Sequence, residues 1–257
     1  MKITFDSNVW RIVVSPDVFS NEANIDAFKK INAALASGRA EGALAETVFT
    51  LEAIKKKGRQ LFLSTYKPSI TIDEKELAAG RIQLSISIGP DRAAHPGNNS
   101  FLEKHWTDAE RLGFKILRSS RIGGIVNPEL KKESFVELTY DINERFGKCG
   151  RDVEAHGCGL AQLKSIGGKY AVTGEPWHHG IANAPDTEEV AISKAVAEWA
   201  DGDAVAAHYA YDYEFICTRD IAKSGGQESV FATKNRKWLT EDYGVKFVTP
   251  EQLAEML

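Results

Sequence analysis

The sequence has few cysteines, no long apolar run and no repeated or low-complexity tract. Its three cysteines, Cys149, Cys158 and Cys217, are too few and too unevenly numbered for a disulfide scaffold, and they fit a reducing compartment. No apolar run approaches the roughly 18 residues that would span a bilayer, and Asp6 falls where a secretory leader would still be apolar. These absences predict a cytoplasmic protein with free thiols and no membrane partner.

The charge balance excludes a strong long-range attraction for nucleic acid. Thirty-two Lys and Arg residues against 36 Asp and Glu leave a formal net charge of −4, so only a local basic surface would bind a polyanion. The 257-residue length and the 43% hydrophobic, 26% charged composition indicate one large globular domain, with room for an embedded elaboration.

Several common catalytic motifs are also absent from the sequence. There is no Gly-x-Ser-x-Gly elbow and no phosphate-loop lysine motif, and Gly157-Cys158-Gly159 lacks the third glycine of a dinucleotide fingerprint. Cys149, His156 and Cys158, with His178-His179, have a spacing that matches no common zinc pattern, so a zinc site is a minor alternative.

Strand and helix patterns alternate at both ends of the chain and predict an α/β fold with a parallel sheet. The predicted strands cover residues 3–5, 41–44, 214–218 and 245–248, and the predicted helices cover 24–37, 45–57, 187–199, 203–211 and a segment opened by Pro250. The pattern is less regular between about residues 60 and 186. There we expect strands over 69–72 and 82–88 and helices over 101–112 and 135–146.

Acidic residues at the ends of these elements are the most informative feature of the sequence. Asp6 and Asp220 each follow a predicted strand, and Glu46 and Asp203 lie at helix starts. Ligands of an open parallel sheet bind beyond the carboxyl ends of its strands, so Asp6 and Asp220 are expected to lie together. Converging carboxylates repel one another unless a cation such as Mg²⁺ or Mn²⁺ neutralises them. The alternative interpretation is that these acids only cap helices and form turns.

Segments containing these acids, in this order along the chain, resemble the PIN domain nucleases. Ile3-Thr4-Phe5-Asp6-Ser7-Asn8 is similar to the opening strand and first acid of that family, and Ala43-Leu44-Ala45-Glu46 to its second acid position. Residues 201–208 followed by 215–220 are the strongest part of the resemblance. Residues 244–251 are similar to the closing strand and helix of the family.

The resemblance implies a PIN-like three-layer α/β sandwich around a central parallel sheet, built from residues 1–58 and 187–257. Residues 60–186 would be an elaborated or inserted segment within this single domain. The catalytic, metal-holding acids implied by position are Asp6, Glu46, Asp203 and Asp220. Asp201 is the rival of Asp203, and Glu52 is the rival of Glu46.

The implied activity is that of a ribonuclease in which Mg²⁺ or Mn²⁺ activates a water molecule to attack the phosphorus. Ser7 and Asn8 would reach the metal or substrate through water, Thr218 would orient a neighbouring carboxylate, and Arg219 would contact the substrate. The family includes toxins of toxin-antitoxin pairs, so an RNA substrate, an antitoxin protein and a homodimer are the partners to consider. The alternatives are a catalytically inactive PIN-like module that binds RNA or protein, and a small-molecule phosphoesterase.

Basic and aromatic side chains near these acids are the candidates for substrate contacts, although most such residues are ordinary surface or core residues. The candidates for phosphate contacts are Arg11, Lys55, Lys56, Arg59, Arg219, Lys223, Lys234, Arg236 and Lys237. Trp10 and Trp238 are candidates for stacking on unpaired bases, with core packing as the alternative.

Overall fold

The computed structural model describes residues 1–67, 69–77, 81–89, 94–122, 124–220 and 228–257. Within these ranges the strands are β1 (Lys2–Phe5), β2 (Glu41–Ala45), β3 (Ser69–Leu77), β4 (Arg81–Gly89), β5 (Lys115–Leu117), β6 (Phe215–Cys217) and β7 (Phe247–Val248). Five of them form a parallel sheet in the order β5-β2-β1-β6-β7, and β3 pairs with β4 in a separate antiparallel hairpin. The predicted α/β class with a parallel sheet is confirmed.

Helices connect these strands and cover the sheet. Those in the described residues are α1 (Trp10–Val14), α2 (Ile25–Ala36), α3 (Thr47–Thr50), α4 (Arg59–Thr65), α5 (Ser100–Arg111), α6 (Tyr140–Ala155), α7 (Leu160–Tyr170), α8 (Trp177–Asn183), α9 (Glu189–Ala210), α10 (Thr233–Tyr243) and α11 (Pro250–Met256). None of them combines the length and the apolar composition needed to cross a bilayer.

Side chains alternate between two buried faces of the sheet because successive residues of a strand point in opposite directions. On β1, Ile3 and Phe5 pack into one apolar core. Thr4 points to the other face, where its hydroxyl hydrogen-bonds to His208 Nδ1 at 3.0 Å. Because both faces of the sheet are buried, the strand sequences are short apolar runs and do not alternate regularly between polar and apolar residues.

The two faces of the sheet carry different sets of helices. α1, α2, α5 and α11 contribute to the core that contains Ile3 and Phe5, and α6, α9 and α10 cover the opposite face. A third apolar cluster joins α7 and α8 to the first half of α9, with side chains of α4 packed against it. The arrangement is consistent with a three-layer sandwich.

Two predicted boundaries differ from the structure near the acidic residues. The helix expected over 45–57 is limited to α3, followed by turns, a 3₁₀ turn at Lys56–Gly58 and then α4. The helices expected over 187–199 and 203–211 are one continuous helix, α9. α9 runs through Gly202, where a Cβ would lie 2.9 Å from the Cα of Gly159, so this glycine lets the helix pack closely against the neighbouring backbone.

Residues 60–186 contribute to the sheet and to both of its covering layers, which a separate insertion would not do. They provide the edge strand β5, which pairs with β2, and the helices α5 and α6 on the two faces of the sheet. The core is therefore not confined to residues 1–58 and 187–257. The helix predicted over 135–146 begins later, at Tyr140, because Thr139 caps it by accepting a hydrogen bond from the Ile142 amide at 3.3 Å.

Candidate active site at the carboxyl ends of β1 and β6

The candidate site lies where the chain leaves the two central strands of the sheet. β1 connects onward to β2 on one side, and β6 and β7 lie on the other side, so a crevice opens beyond β1 and β6. The amide of Asp6 donates to the carbonyl of Cys217 at 3.0 Å, which ties the two strand ends together. Asp6 and Asp220 therefore lie close to each other, and Asp220 raises the pKa of Asp6.

Thr218 links these two aspartates through its hydroxyl group. It donates to Asp6 Oδ2 at 2.5 Å and accepts from the backbone amide of Asp220 at 3.0 Å. The second carboxylate oxygen of Asp6 accepts from the Ser7 amide at 2.6 Å. Thr218 thus orients a neighbouring carboxylate, as its position in the sequence indicates.

Glu52 and Asp201 complete the group of acids at this crevice. Glu52, just after α3, accepts a hydrogen bond from the side chain of Ser7 and interacts electrostatically with Asp6. Asp201, on α9, interacts with Asp6, Glu52 and Asp220. Asp6, Glu52, Asp201 and Asp220 are all half-buried, and we refer to them as the acid cluster.

The electrostatics of the acid cluster are unfavourable for the ionised carboxylates. Burial raises the pKa of Asp6, Glu52 and Asp201, and repulsion from other members of the cluster also raises each of them. The pKa of Glu52 is raised to about 7 by these effects together. Arg59 and Arg11 lower the pKa of Glu52 without offsetting these effects. The cluster therefore favours the uptake of protons or of a cation.

Asp203 lies in a different environment from the one predicted for it. Its side chain is 0% exposed, and its oxygens accept from Arg121 Nη2 at 2.7 Å and from Trp199 Nε1 at 3.2 Å. Arg121 also pairs with Glu154, which in turn pairs with Lys164. These four charged residues form a partly buried ion-pair network with Asp203 at its buried end, and Asp203 is a structural member of it rather than a member of the acid cluster.

Glu46 is likewise engaged elsewhere. Its side chain is 3% exposed and accepts from the Ser119 amide at 2.9 Å, while its own amide donates to the Leu117 carbonyl at 2.9 Å. Glu46 therefore joins the end of β2 to the segment after β5. Of the four predicted acids, the structure brings together Asp6 and Asp220, and it places the rival residues Glu52 and Asp201 beside them.

Helix geometry explains why Asp201 and Asp203 separate. Residues two positions apart in sequence differ by about 200° around a helix with 3.6 residues per turn. The side chains of Asp201 and Asp203 therefore leave opposite sides of α9. The capping role predicted for Asp203 required a helix start at this point, and α9 continues through it. A signal was nevertheless present in the sequence, because the Asp-Gly-Asp spacing alone implies that only one of the two acids faces a given site.

A cavity of 420 Å³ adjoins the acid cluster and has basic side chains in its wall. Glu52 belongs to both features, and Ser7, which follows Asp6, also lines the cavity. The cations that line the cavity are Arg11, Lys56 and Arg59. Arg59 is held in place because it donates to the carbonyls of Ile54 and Ser193 at 3.2 and 2.9 Å.

The remaining basic candidates lie in other surroundings. Arg219 pairs with Glu22 at 2.6 Å, and its amide donates to Asn8 Oδ1 at 3.2 Å, so both residues help to order the segment after β6. Asn8 also lines the cavity. Lys55 lines a separate pocket, and Lys234, Arg236 and Lys237 are on α10. Lys223 lies outside the described residues.

The two tryptophans pack against protein side chains. Trp10 is 1% exposed and its ring centroid lies 6.3 Å from that of Phe49, so it packs in the core, and it also lines the basic cavity. The half-buried Trp238 stacks on His156 at 4.0 Å.

The cysteines proposed as zinc ligands lie in the apolar core. Cys149 and Cys158 are both buried in the cluster beneath α6 and α9, and Cys158 Sγ accepts from Asn235 at 3.1 Å. Burial raises the pKa of the Cys149 thiol to about 12, which disfavours the thiolate that zinc requires. The structure therefore places these thiols in packing roles.

The acid cluster has the donor chemistry of a divalent-cation site but does not form a coordination sphere. Its donors are carboxylate oxygens, which Mg²⁺ and Mn²⁺ prefer. In the part of the chain that the structure describes, however, no group of three or more His, Cys, Asp or Glu side chains is placed to hold a metal ion. The acid cluster thus fits a divalent cation in its charge and in the type of its ligands, but not in the positions of its side chains.

Comparisons with known proteins do not assign the chain to a family. Among protein-family models, curated proteins and solved structures, none matches it. Membership of the PIN domain family therefore stays a prediction.

Proposed function

We propose that this protein is a metal-dependent ribonuclease whose site is the acid cluster of Asp6, Glu52, Asp201 and Asp220. The observation that supports this is electrostatic: three of these acids have raised pKa values, partly because of one another, at the crevice beyond β1 and β6. Repulsion of this kind costs stability and is common at functional sites.

Mg²⁺ or Mn²⁺ at these carboxylates would supply activation of a water molecule and would stabilise the charge on the phosphoryl oxygens. Holding the ion would require the carboxylates to shift, because in the described residues no three such side chains are placed to hold one. The protein prepares this site by fixing Asp6 between Thr218 and the Ser7 amide. Ser7 also reaches Glu52, so one short segment after β1 orients two of the acids.

The basic cavity is the proposed binding region for the substrate backbone. Arg11, Lys56 and Arg59 would contact phosphates flanking the scissile bond. Phe101 also lines the cavity and is exposed, and Arg11 lies 5.3 Å from the centre of its ring. An exposed aromatic ring beside cations is the arrangement on which unpaired bases stack.

A small-molecule phosphoesterase is the second candidate, favoured by the size of the cavity. A volume of 420 Å³ lies within the range of small-molecule sites, roughly 300 to 1,000 Å³. The same acids and cations would then act on a single phosphoester rather than on a polymer.

The test is cleavage of labelled single-stranded RNA with Mn²⁺ by the wild-type protein and by Asp201→Asn, Glu52→Gln and Glu46→Gln variants. We expect Asp201→Asn and Glu52→Gln to lose about 100-fold or more of the activity. Glu46→Gln is the matched control, because glutamine still accepts from the Ser119 amide, and its activity should stay within a few fold of wild type.

The outcomes separate the candidate functions. Equal cleavage by wild type and Asp201→Asn would contradict the proposed site. Binding of RNA without cleavage would favour an inactive module. Hydrolysis of a small phosphodiester such as bis(p-nitrophenyl) phosphate, with RNA left intact, would favour the phosphoesterase.

A further inference from the structure

The hairpin formed by β3 and β4 has the features of an interaction surface. Its strands pair over nine residues each, from Ser69 opposite Gly89 to Leu77 opposite Arg81, and its main contacts are between its own two strands. A two-stranded hairpin by itself is only marginally stable in water, and further strands or a packed helix normally support it.

One face of this hairpin is exposed and largely apolar, with Glu74 and Glu76 of β3 on the same face. Alternation along the strands and the pairing of Ile72 with Ile86 place five large aliphatic side chains on the same face. They are Ile70, Ile72, Ile82, Leu84 and Ile86, each between 60% and 63% exposed. A contiguous apolar patch of this kind marks an interaction site.

The two edges of the hairpin differ in charge. β3 carries four consecutive charged residues, Asp73-Glu74-Lys75-Glu76, and charged side chains protect an edge strand from pairing with another chain. β4 has no charged residue after Arg81. The edge of β4 is therefore the one suited to further strand pairing.

The sequence of β4 is complementary to itself in the antiparallel direction. With Leu84 on a two-fold axis, Leu84 lies opposite Leu84, Ile82 opposite Ile86 and Gln83 opposite Ser85. No like charges meet in this register. A corresponding pairing of β3 about Glu74 would place two glutamates directly opposite each other, which is unfavourable.

We infer that a second copy of this chain pairs with the β4 edge, so that two hairpins form a four-stranded antiparallel sheet across a two-fold axis. The interface is isologous, because the same residues contribute from both copies. Pairing brings Ile82, Leu84 and Ile86 of the two copies side by side in the centre of the new sheet. This inference is independent of the proposed catalytic function.

The first test measures the oligomeric state of the full-length protein by sedimentation equilibrium. Wild type should be a dimer, and Leu84→Lys should raise its dissociation constant by about 100-fold or more, because two ammonium groups would face each other across the axis in place of two leucines. Glu74→Lys, on the same face but on the outer strand, is the control and should remain dimeric. A monomeric wild type, or a Leu84→Lys variant as dimeric as wild type, would overturn the inference.

The second test uses disulfide formation and does not depend on a disruptive substitution. Opposed residues in an antiparallel pair have Cα atoms about 4.5 to 5.5 Å apart, within the range that a disulfide spans. Leu84→Cys should therefore give a covalent dimer on oxidation, and Ile72→Cys, one strand farther from the axis, should not. The native cysteines are all buried and unpaired. Cross-linking of both variants to the same extent, or of neither, would overturn pairing through β4.

Discussion

Asp201 and Asp203 are two residues apart on α9 and lie in opposite electrostatic environments. Asp203 is fully buried, which raises its pKa, but hydrogen bonds from Arg121 and Trp199 lower it and compensate part of its charge. Asp201 is half-buried, and its pKa is raised by burial and by Asp6, Glu52 and other acids. Burial alone does not distinguish a structural carboxylate from a candidate catalytic one.

The difference lies in what surrounds each carboxylate. Around Asp203, two carboxylates are balanced by two cations, since Glu154 pairs with both Arg121 and Lys164. Around Asp201, four other carboxylates raise its pKa, and the charge of Arg59, which also interacts with Asp201, does not offset them. A carboxylate paired with cations of the protein is stable without a ligand, which indicates a structural role. A carboxylate surrounded by other carboxylates is stabilised by a bound cation, which indicates a role in binding.

The largest effect is expected from removing the cation at the centre of the ion-pair network. Arg121→Met leaves Asp203 buried without its main partner and should lower the free energy of unfolding by about 3 to 5 kcal/mol. Urea denaturation measures this loss. The double variant Arg121→Met/Asp203→Leu should recover much of it, and a single variant as stable as wild type would contradict a structural role for Asp203.

The pH dependence of stability tests the other environment. The pKa of Glu52 is higher in the folded protein, at about 7, than its ordinary value of 4.5, so the folded state binds this proton more tightly. The free energy of unfolding should then fall as the pH rises from about 4.5 to 7, by on the order of 2 kcal/mol without divalent cations.

Denaturation curves across this pH range give the measurement. Glu52→Gln should flatten the decline, and excess Mn²⁺ should reduce it if a cation binds the acid cluster. Stability that rises over the same interval in metal-free buffer would contradict a raised pKa of Glu52 in the folded protein.

A smaller effect of the opposite sign is expected at Asp201. In metal-free buffer at neutral pH, Asp201→Asn should raise the free energy of unfolding by about 1 kcal/mol, because it removes one of several repelling charges. Thermal unfolding of Asp201→Asn and of Asp203→Asn measures both effects, and Asp203→Asn should be less stable than wild type. Equal destabilisation of both would remove the distinction between the two aspartates.

The smallest effect is expected at the rim of the ion-pair network. The side chain of Lys164 is 42% exposed, so its pairing with Glu154 is screened by water. Lys164→Met should change the free energy of unfolding by less than about 1 kcal/mol. A loss as large as that of Arg121→Met would mean that the whole network, rather than its buried centre, stabilises the fold.

Elements with strong local signals could be predicted from the sequence. α11 begins at Pro250 after Thr249, whose side chain forms a capping box with Gln252, and the strand-to-acid transition at Asp6 marks the end of β1. Contacts between distant segments could not be predicted in this way. β5 has only three residues and is recognised as a strand by its pairing with β2.

The sequence by itself determined the alternation of strands and helices and the placement of Asp6 and Asp220 at adjacent strand ends, because both follow from local patterns and from the rule for parallel sheets. Only the tertiary structure shows that Asp201 rather than Asp203, and Glu52 rather than Glu46, lies beside Asp6. The members of each pair are close in sequence, but packing around them determines which carboxylate meets Arg121 or a backbone amide and which meets other carboxylates.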